Sequence, residues 1–544
     1  MTFSDSRLVL ANTESVCPDC LATVPAIRYA EGDTVYLEKT CPQHGTTSTP
    51  IWRGLKSYFM WDASPRNRSR VPKPATVVHE GCPRDCGLCP DHQQQSCCVL
   101  LEVTSRCDLA CPVCFASATR KGEDIAFDTV EAWLDTLMER AGGRVHIQLS
   151  GGEPTVRDDL PEIVALARRK GFSFVQVNTN GVRIAKHPDY LEALVEAGLD
   201  CVFLQFDGVS DDVHQKLRGA KLARVKLQAV EACGRAGVGV VLVPTLVPGV
   251  NTGQIGAIVE FAKAHMPTVR AVHFQPISYF GRVPAPPRPE TRFTLPEVME
   301  ALIAHEQGAI RLSDFHPGSA ENPFCSFAGR FLLGDDGRLT VDRDAPVSCC
   351  GAPPEEESSC CGSSHAEEEH SCCGGSKDAG EDHACCGGSK GAEDAHSCCG
   401  GANEAEAGHS CCGGATAHEE EHGCCCGSTE NATAASDETA APAAEARPSA
   451  DVARARRYVA DQWTLAETSN DDAPGLAAFD AVLQRRAHTL GLSAMVFQDA
   501  WTLDLERLRQ CHIHVMSPDQ RAIPFCAHNL TDRQGHSLYR RHTG

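Results

Sequence analysis

Three cysteines, Cys107, Cys111 and Cys114, lie in TSRCDLACPVCFA with the spacing C-x3-C-x2-C. Three thiolates on one short loop can converge on a metal cluster, and cluster irons favour soft thiolate ligands. Three ligands to a four-iron cluster leave one iron open to a substrate or cofactor. A structural zinc loop is the competing reading of the bare spacing. One strand-like run later comes LSGGEPTVRDDL, residues 149–160. Its glycines Gly151 and Gly152 let a ligand approach the backbone closely, and Glu153 can accept from an ammonium group. Alone the Gly-Gly-Glu turn is a weak signal; directly after the cysteine triplet it is a strong one.

Further cysteines fall into sets. Cys17, Cys20, Cys41 and His44 give C-x2-C and C-x2-H, a tetrahedral set for zinc or a single iron, with a structural knuckle as the expected role. Cys82, Cys86 and Cys89 repeat the C-x3-C-x2-C spacing, and Cys97 or Cys98 can supply a fourth thiolate. Four protein ligands would close such a cluster and suit it to electron relay; a second zinc site is the alternative. Cys325, Cys511 and Cys526 can build another closed site, completed by Cys349 or Cys350. Cys201 and Cys233 read as core residues. Of the 31 cysteines, 15 lie between 349 and 426 in pairs such as HSCCGG, spaced mostly by 13 residues. Adjacent cysteines have Cα atoms about 3.8 Å apart, too close for an ordinary disulfide. They chelate soft metals or metalloids, or the array is an expandable low-complexity linker.

The elements that must position these groups are legible. VLLEVT, RVHIQLS, FSFVQVNTN, DCVFLQFD, GVGVVLVPTLV and AVHFQPIS read as buried strands between 99 and 280. Helical patterns such as DTVEAWLDTLMERAG, DLPEIVALARRKG and PDYLEALVEAGL lie between strands. Repeated strand–helix alternation predicts an α/β parallel sheet, closed or partly closed into a barrel. Both motifs then sit at strand C-terminal ends, where barrel sites gather. Gln205, Asp207 and Gln275 sit at strand ends too, facing the site or supporting residues that do; Asp207 counts among the cofactor-binding residues.

The remaining chain divides by composition. The expected domains are a Cys-rich zinc- or rubredoxin-like segment at 1–75, an auxiliary cluster segment at 76–98, the barrel at 99–285, and a C-terminal auxiliary domain from 286–348 plus 447–544. Residues 349–446 carry 20 Asp/Glu and two Lys and almost no large apolar side chains, which predicts a disordered insertion. That segment accounts for −18 of the net charge of −22, so the rest is near neutral and gives no case for nucleic acid or anionic membrane as partner. The N-terminus lacks a secretory pattern, no apolar run approaches a membrane span, and the cysteine usage suits a reducing cytoplasm. No nucleotide-binding GxGxxG or P-loop is present.

The pairing of CDLACPVC with SGGEP resembles the radical S-adenosylmethionine (radical SAM) superfamily. The resemblance implies a partial (β/α)6 barrel over about 100–280 and a four-iron, four-sulfur ([4Fe-4S]) cluster on Cys107, Cys111 and Cys114, whose open iron chelates S-adenosylmethionine. It implies that Ser150 to Pro154 contact the methionyl amino group, and that NTNG, Asn178 to Gly181 with Asn180, contacts the ribose or carboxylate region. It implies reductive cleavage to a 5′-deoxyadenosyl radical that removes a substrate hydrogen atom, with a one-electron donor such as ferredoxin or flavodoxin. The order CPDC, TCPQHG, CPRDCGLCPDH, LQFDG, LRG, FGR and IPFCAHNLTD is similar to the group containing the archaeal enzyme that methylates 7,8-dihydro-6-hydroxymethylpterin and the synthase of tetraether lipids. That resemblance favours Cys97 as the fourth auxiliary ligand, one or two auxiliary clusters, and methylation or C–C bond formation at an unactivated carbon. A pterin-like substrate is favoured over lipid chains. No residue is singled out as catalytic. A metal-buffering or metallochaperone protein is the rival of another class, and the intact SGGEP and NTNG stretches argue against it.

Overall fold

The computed structural model describes residues 7–64, 71, 74–141, 145–342, 450–465 and 485–540. The Cys-pair array expected at 349–446, Cys349 and Cys350 included, lies outside the described residues.

The N-terminal segment is a four-stranded antiparallel meander of β1 (Leu8–Val16), β2 (Thr23–Glu31), β3 (Thr34–Cys41) and β4 (Gly45–Arg53). Along β3 every second residue is buried, which turns Val35, Leu37 and Lys39 inward. The β1–β2 and β3–β4 turns carry the Cys17/Cys20 and Cys41/His44 pairs.

All six predicted barrel strands form. They are β5 (Cys98–Thr104), β6 (His146–Gly151), β7 (Val175–Thr179), β8 (Cys201–Gln205), β9 (Gly239–Val243), with a short β10 (Thr245–Leu246), and β11 (Val269–Pro276). β5, β6, β7, β8, β9 and β11 pair in parallel in that order. Helices such as Phe127–Ala141, Leu160–Arg169 and Ala223–Ala236 form the crossovers.

The chain beyond 285 does more than form a separate lobe. β12 (Ser326–Leu333), β13 (Leu339–Val341) and β14 (Thr489–Met495) extend the sheet past β11, with β14 parallel to it. β15 (Ile513–Met516) runs parallel to β5 at the other edge, followed by β16 (Ala522–Pro524). One sheet of 12 strands results, and the C-terminal segments satisfy the N–H and C=O groups that both edges of the six-strand unit would expose. The strand at 489–495 escapes a sequence reading because TLGLSAM lacks β-branched density and has a central Gly491.

Strand alternation separates two faces. Val99, Leu101, Ile147, Leu149, Val175, Val177, Val202, Leu204, Val240 and Leu242 share the main core with the crossover helices. The opposite, inner face presents Phe174, Cys201, Phe203, Val241, Val243 and Ala271, which pack on Val459, Ala460 and Trp463 of the helix Ala450–Trp463. That helix closes the N-terminal end of the inner face. At Gly239 a Cβ would lie 2.4 Å from the Trp463 carbonyl oxygen, so only glycine admits the helix end there.

Candidate active site and metal centres

The Cys107 loop begins where β5 ends. Its base is fixed by backbone bonds from Ser105 N–H to Glu123 O and from Cys107 N–H to Thr119 O, at 2.8 and 2.9 Å. Arg282 clamps its far side. Its Nε donates to Cys111 O at 2.8 Å, and its backbone exchanges bonds of 2.9 and 3.0 Å with Cys114. The preceding Gly281 has φ +54°, and a Cβ there would sit 2.5 Å from Phe115 O. The FGR stretch, noticed in sequence only as part of a family order, is thus the cluster loop's anchor.

SGGEP closes on the same loop from β6. Gly151, at φ +120°, would place a Cβ 2.2 Å from Thr104 O, and Gly152 one 2.1 Å from Arg106 O. The two glycines therefore admit the protein's own cluster loop, where the sequence suggested an approaching ligand. Gly152 N–H and Glu153 N–H donate to Thr104 O and Arg106 O, both at 2.8 Å.

Glu153 is 2% exposed, and its carboxylate accepts from four donors: Thr155 N–H (3.1 Å), Thr155 Oγ1 (2.6 Å), Thr179 Oγ1 (2.7 Å) and Asn180 N–H (2.6 Å). Burial pushes its pKa up against those donors. It acts as a bracket joining the β6 end to NTNG, and neither oxygen is free of protein partners. Asn180 Nδ2 in turn donates to Asp108 Oδ1 at 2.7 Å, so NTNG is tied to the residue after Cys107. Asn178 donates to Ser150 Oγ at 3.3 Å, while its buried Oδ1 has no partner among the described residues. A buried, orphaned acceptor between SGGEP and NTNG fits a polar ligand there.

Asp207 is fully buried and faces Arg218, not open space. Arg218 Nε and Nη2 donate to Asp207 Oδ2 and Oδ1, both at 2.7 Å, and Arg218 Nη1 reaches Val113 O at 3.2 Å. The pKa of Asp207 is held low: burial pushes it up and Arg218 outweighs that. Asp207 positions a guanidinium at the Cys111–Cys114 loop, and Gln205 hydrogen-bonds to Asp207. Lys226, also fully buried, donates to Asn180 O at 2.6 Å and Gln205 Oε1 at 3.3 Å; burial brings its pKa down to about 8. Arg218, Lys226 and Asp108 were not picked out in the sequence. The LRG stretch was the one available signal for Arg218.

Burial pushes the Cys107 thiol up to about 12 and raises Cys111, the latter against Arg218. These groups need a cation to become thiolates, which is what a metal cluster supplies. Among the described residues, Cys17, Cys20, Cys41 and His44 form a group whose ligand atoms all lie within 4.8 Å of one another. The Cys107 triplet is not so tightly drawn. Ligand atoms as close as those of the N-terminal group fit one ion. Within the N-terminal group His44 Nδ1 lies 3.5 Å from Cys17 Sγ and 3.4 Å from Cys41 Sγ.

Cys82, Cys86 and Cys89 line one pocket with Asp91, His92 and Arg509. Asp85 organises their loop by accepting from His79, Glu80 and Gly81 N–H at 2.5–2.7 Å. Cys97 does not line that pocket. It packs in a separate apolar cluster with Ala320 and Val452, and Cys98 turns toward Gln148 Oε1 at 3.9 Å. One cysteine follows the other along β5's entry, so the strand's alternation sends them to opposite faces. Cys325, Cys511 and Cys526 lie near one another, Cys526 buried and the other two half-buried: Cys325 raises the pKa of Cys511, and both raise that of Cys526, on top of the larger effect of burial. Arg507 Nη2 donates to Cys325 Sγ at 3.4 Å, and Gln498 N–H to Cys526 Sγ at 3.2 Å. Cys201 and Cys233 are fully buried, as core residues are.

The chain is similar to known proteins. The family model described as the radical SAM superfamily matches residues 101–262, and the HMPTM N-terminal zinc ribbon domain matches residues 9–53. The chain is 31% identical over 525 residues to 7,8-dihydro-6-hydroxymethylpterin dimethyltransferase of Methanocaldococcus jannaschii, covering 96% of this chain and 94% of that one. It is 38% identical over 157 residues to PqqA peptide cyclase of Methylorubrum populi, covering 28% of this chain and 35% of that one. The crystal structure of SuiB from Streptococcus suis aligns over 39% of this chain and 46% of that one, at 15% identity and a TM-score of 0.33. The chain belongs to the radical SAM superfamily and, over nearly its whole length, to the family of the archaeal pterin dimethyltransferase.

Proposed function

We propose that this protein is a radical SAM methyltransferase acting on a pterin-like heterocycle. The observation that carries the reading is the likeness to the archaeal pterin dimethyltransferase across both chains, zinc ribbon included. Cys107, Cys111 and Cys114 would hold the [4Fe-4S] cluster; Ser150 to Pro154, Asn178 and Asn180 would receive S-adenosylmethionine. Bound together, cluster and S-adenosylmethionine supply a radical able to remove hydrogen from an unactivated carbon. The chain's own residues do the positioning. Arg282 and Arg218 fix the cysteine loop, and Glu153 and Asn180 lock the two ligand turns to it. Asp207 holds Arg218 and acts through it, while the helix Ala450–Trp463 excludes water from the far end of the inner face.

The zinc ribbon's Cys17, Cys20, Cys41 and His44 would hold one metal ion, a structural zinc. Cys82, Cys86 and Cys89 form the first auxiliary cluster site, with Asp91 or His92 as the neighbouring candidate fourth ligand in place of Cys97. Cys325, Cys511 and Cys526 form a second. A low-potential one-electron donor such as ferredoxin or flavodoxin would reduce the clusters. The test is anaerobic incubation of the iron-loaded protein with S-adenosylmethionine, dithionite and 6-hydroxymethyl-7,8-dihydropterin. Mass spectrometry should find a methylated pterin; S-adenosylmethionine turnover with unmodified pterin, and with lipid chains modified instead, would replace the substrate assignment.

A further inference from the structure

The inner face of the sheet is layered, and one layer is unexplained by the cofactors. At the strand C-terminal ends lie Ser150 and Asn178, beside the cysteine loop. Toward the strand N-terminal ends lie Phe174 and the helix Ala450–Trp463, whose Trp463 reaches to Phe203, the register partner of Asn178, at 5.3 Å between ring centroids and to His273 at 6.2 Å. Between them, two carboxamides stand side by side. Gln148 of β6 and Gln176 of β7 are register partners, 8% and 1% exposed. Their strand neighbours Ile147, Leu149, Val175 and Val177 all belong to the outer core, so both glutamines project onto the inner face.

An apolar strand interior does not need these amides. Burying a carboxamide without partners is costly, and a buried polar atom left unpaired calls for a ligand or water. Gln176 Nε2 is buried without a partner among the described residues. Among the described residues Gln148 has only the weak Cys98 Sγ donor at 3.9 Å. Each carboxamide offers donors and an acceptor, so the pair can match the alternating donor–acceptor edge of a nitrogen heterocycle. A hydrocarbon chain would leave both amides unpaired.

We propose that Gln148 and Gln176 are specificity-determining residues that read the amino-pyrimidinone edge of a pterin-class substrate, one layer below the S-adenosylmethionine residues. This rests on the proposed function and goes beyond it by naming the groups that select the ring.

The test is an anaerobic fluorescence titration of the cluster-loaded full-length protein with 6-hydroxymethylpterin, a fluorescent oxidised analogue, and with 6-hydroxymethyllumazine, in which an oxygen replaces the 2-amino group. The wild type should bind the pterin more tightly than the lumazine. Gln176→Leu and Gln148→Leu, each with iron content and unfolding midpoint measured, should weaken pterin binding by about tenfold, the equivalent of one buried hydrogen bond, and bring the two ligands to near-equal affinity. Wild-type-like pterin affinity and discrimination in either folded variant overturns its role, and failure of both variants to fold assigns the amides to structure alone. A wild type that binds S-adenosylmethionine but neither heterocycle removes the pterin reading itself, a distinct result.

Discussion

Asp207 and Arg218 make the ion pair on which the cysteine loop rests. Both are buried, and their paired bonds of 2.7 Å aim the guanidinium at Val113 O. Asp207→Ala should cost about 3–5 kcal/mol, because it strands a buried charge. Chemical denaturation of the full chain measures it, and a loss below about 1 kcal/mol would show that the pair is not the support described. The sequence marked Asp207 as a polar residue at the end of an apolar strand and Glu153 as an acceptor for an ammonium group. It did not reveal that their partners are protein groups, since Arg218, Thr179 and Asn180 reach them through the fold. The glycines of SGGEP were legible as close-approach residues, but what approaches is backbone from Thr104 and Arg106, set by β5–β6 pairing.

At the scale of elements, the zinc ribbon is fastened to the C-terminal chain by buried polar contacts. Arg28 of β2 pairs with Glu506 at 2.7 Å and Asp504 at 3.5 Å, and Lys39 of β3 donates to Ala500 O at 2.8 Å. The Arg28 and Asp504 side chains are only 4% and 2% exposed. Arg28→Ala should therefore destabilise by about 3–5 kcal/mol and raise hydrogen exchange across residues 9–53. Unchanged exchange there would mean the ribbon holds without this pair. The C-x2-C and C-x2-H turns foretold the ribbon because a tetrahedral site dictates its ligand spacing. The docking was not foretold, because it joins residues hundreds of positions apart. The six parallel strands were legible as apolar runs; β14 and β15 were not, since short strands completing an edge carry little periodicity.

Over the whole molecule, buried neutral histidines make the fold sensitive to acid. Burial brings His146 down to about 3 and His273 to about 4. An unfolded histidine takes up its proton near pH 6.5, so below that pH the unfolded chain binds protons that the folded one refuses. Stability should fall by about 1.4 kcal/mol per pH unit for each of the two between pH 6.5 and about 4. Unfolding midpoints of the wild type and of His146→Leu across pH 7.5 to 5 check this; equal slopes would contradict it. The central claim concerns what the assembled sheet, turns and cysteine loop do together. Its most direct test is release of 5′-deoxyadenosine from S-adenosylmethionine by the iron-loaded, dithionite-reduced protein, beside Cys107→Ala prepared identically. The account predicts release by the wild type and none by the variant. Equal release by both, or none from a wild type with full iron content, would contradict it.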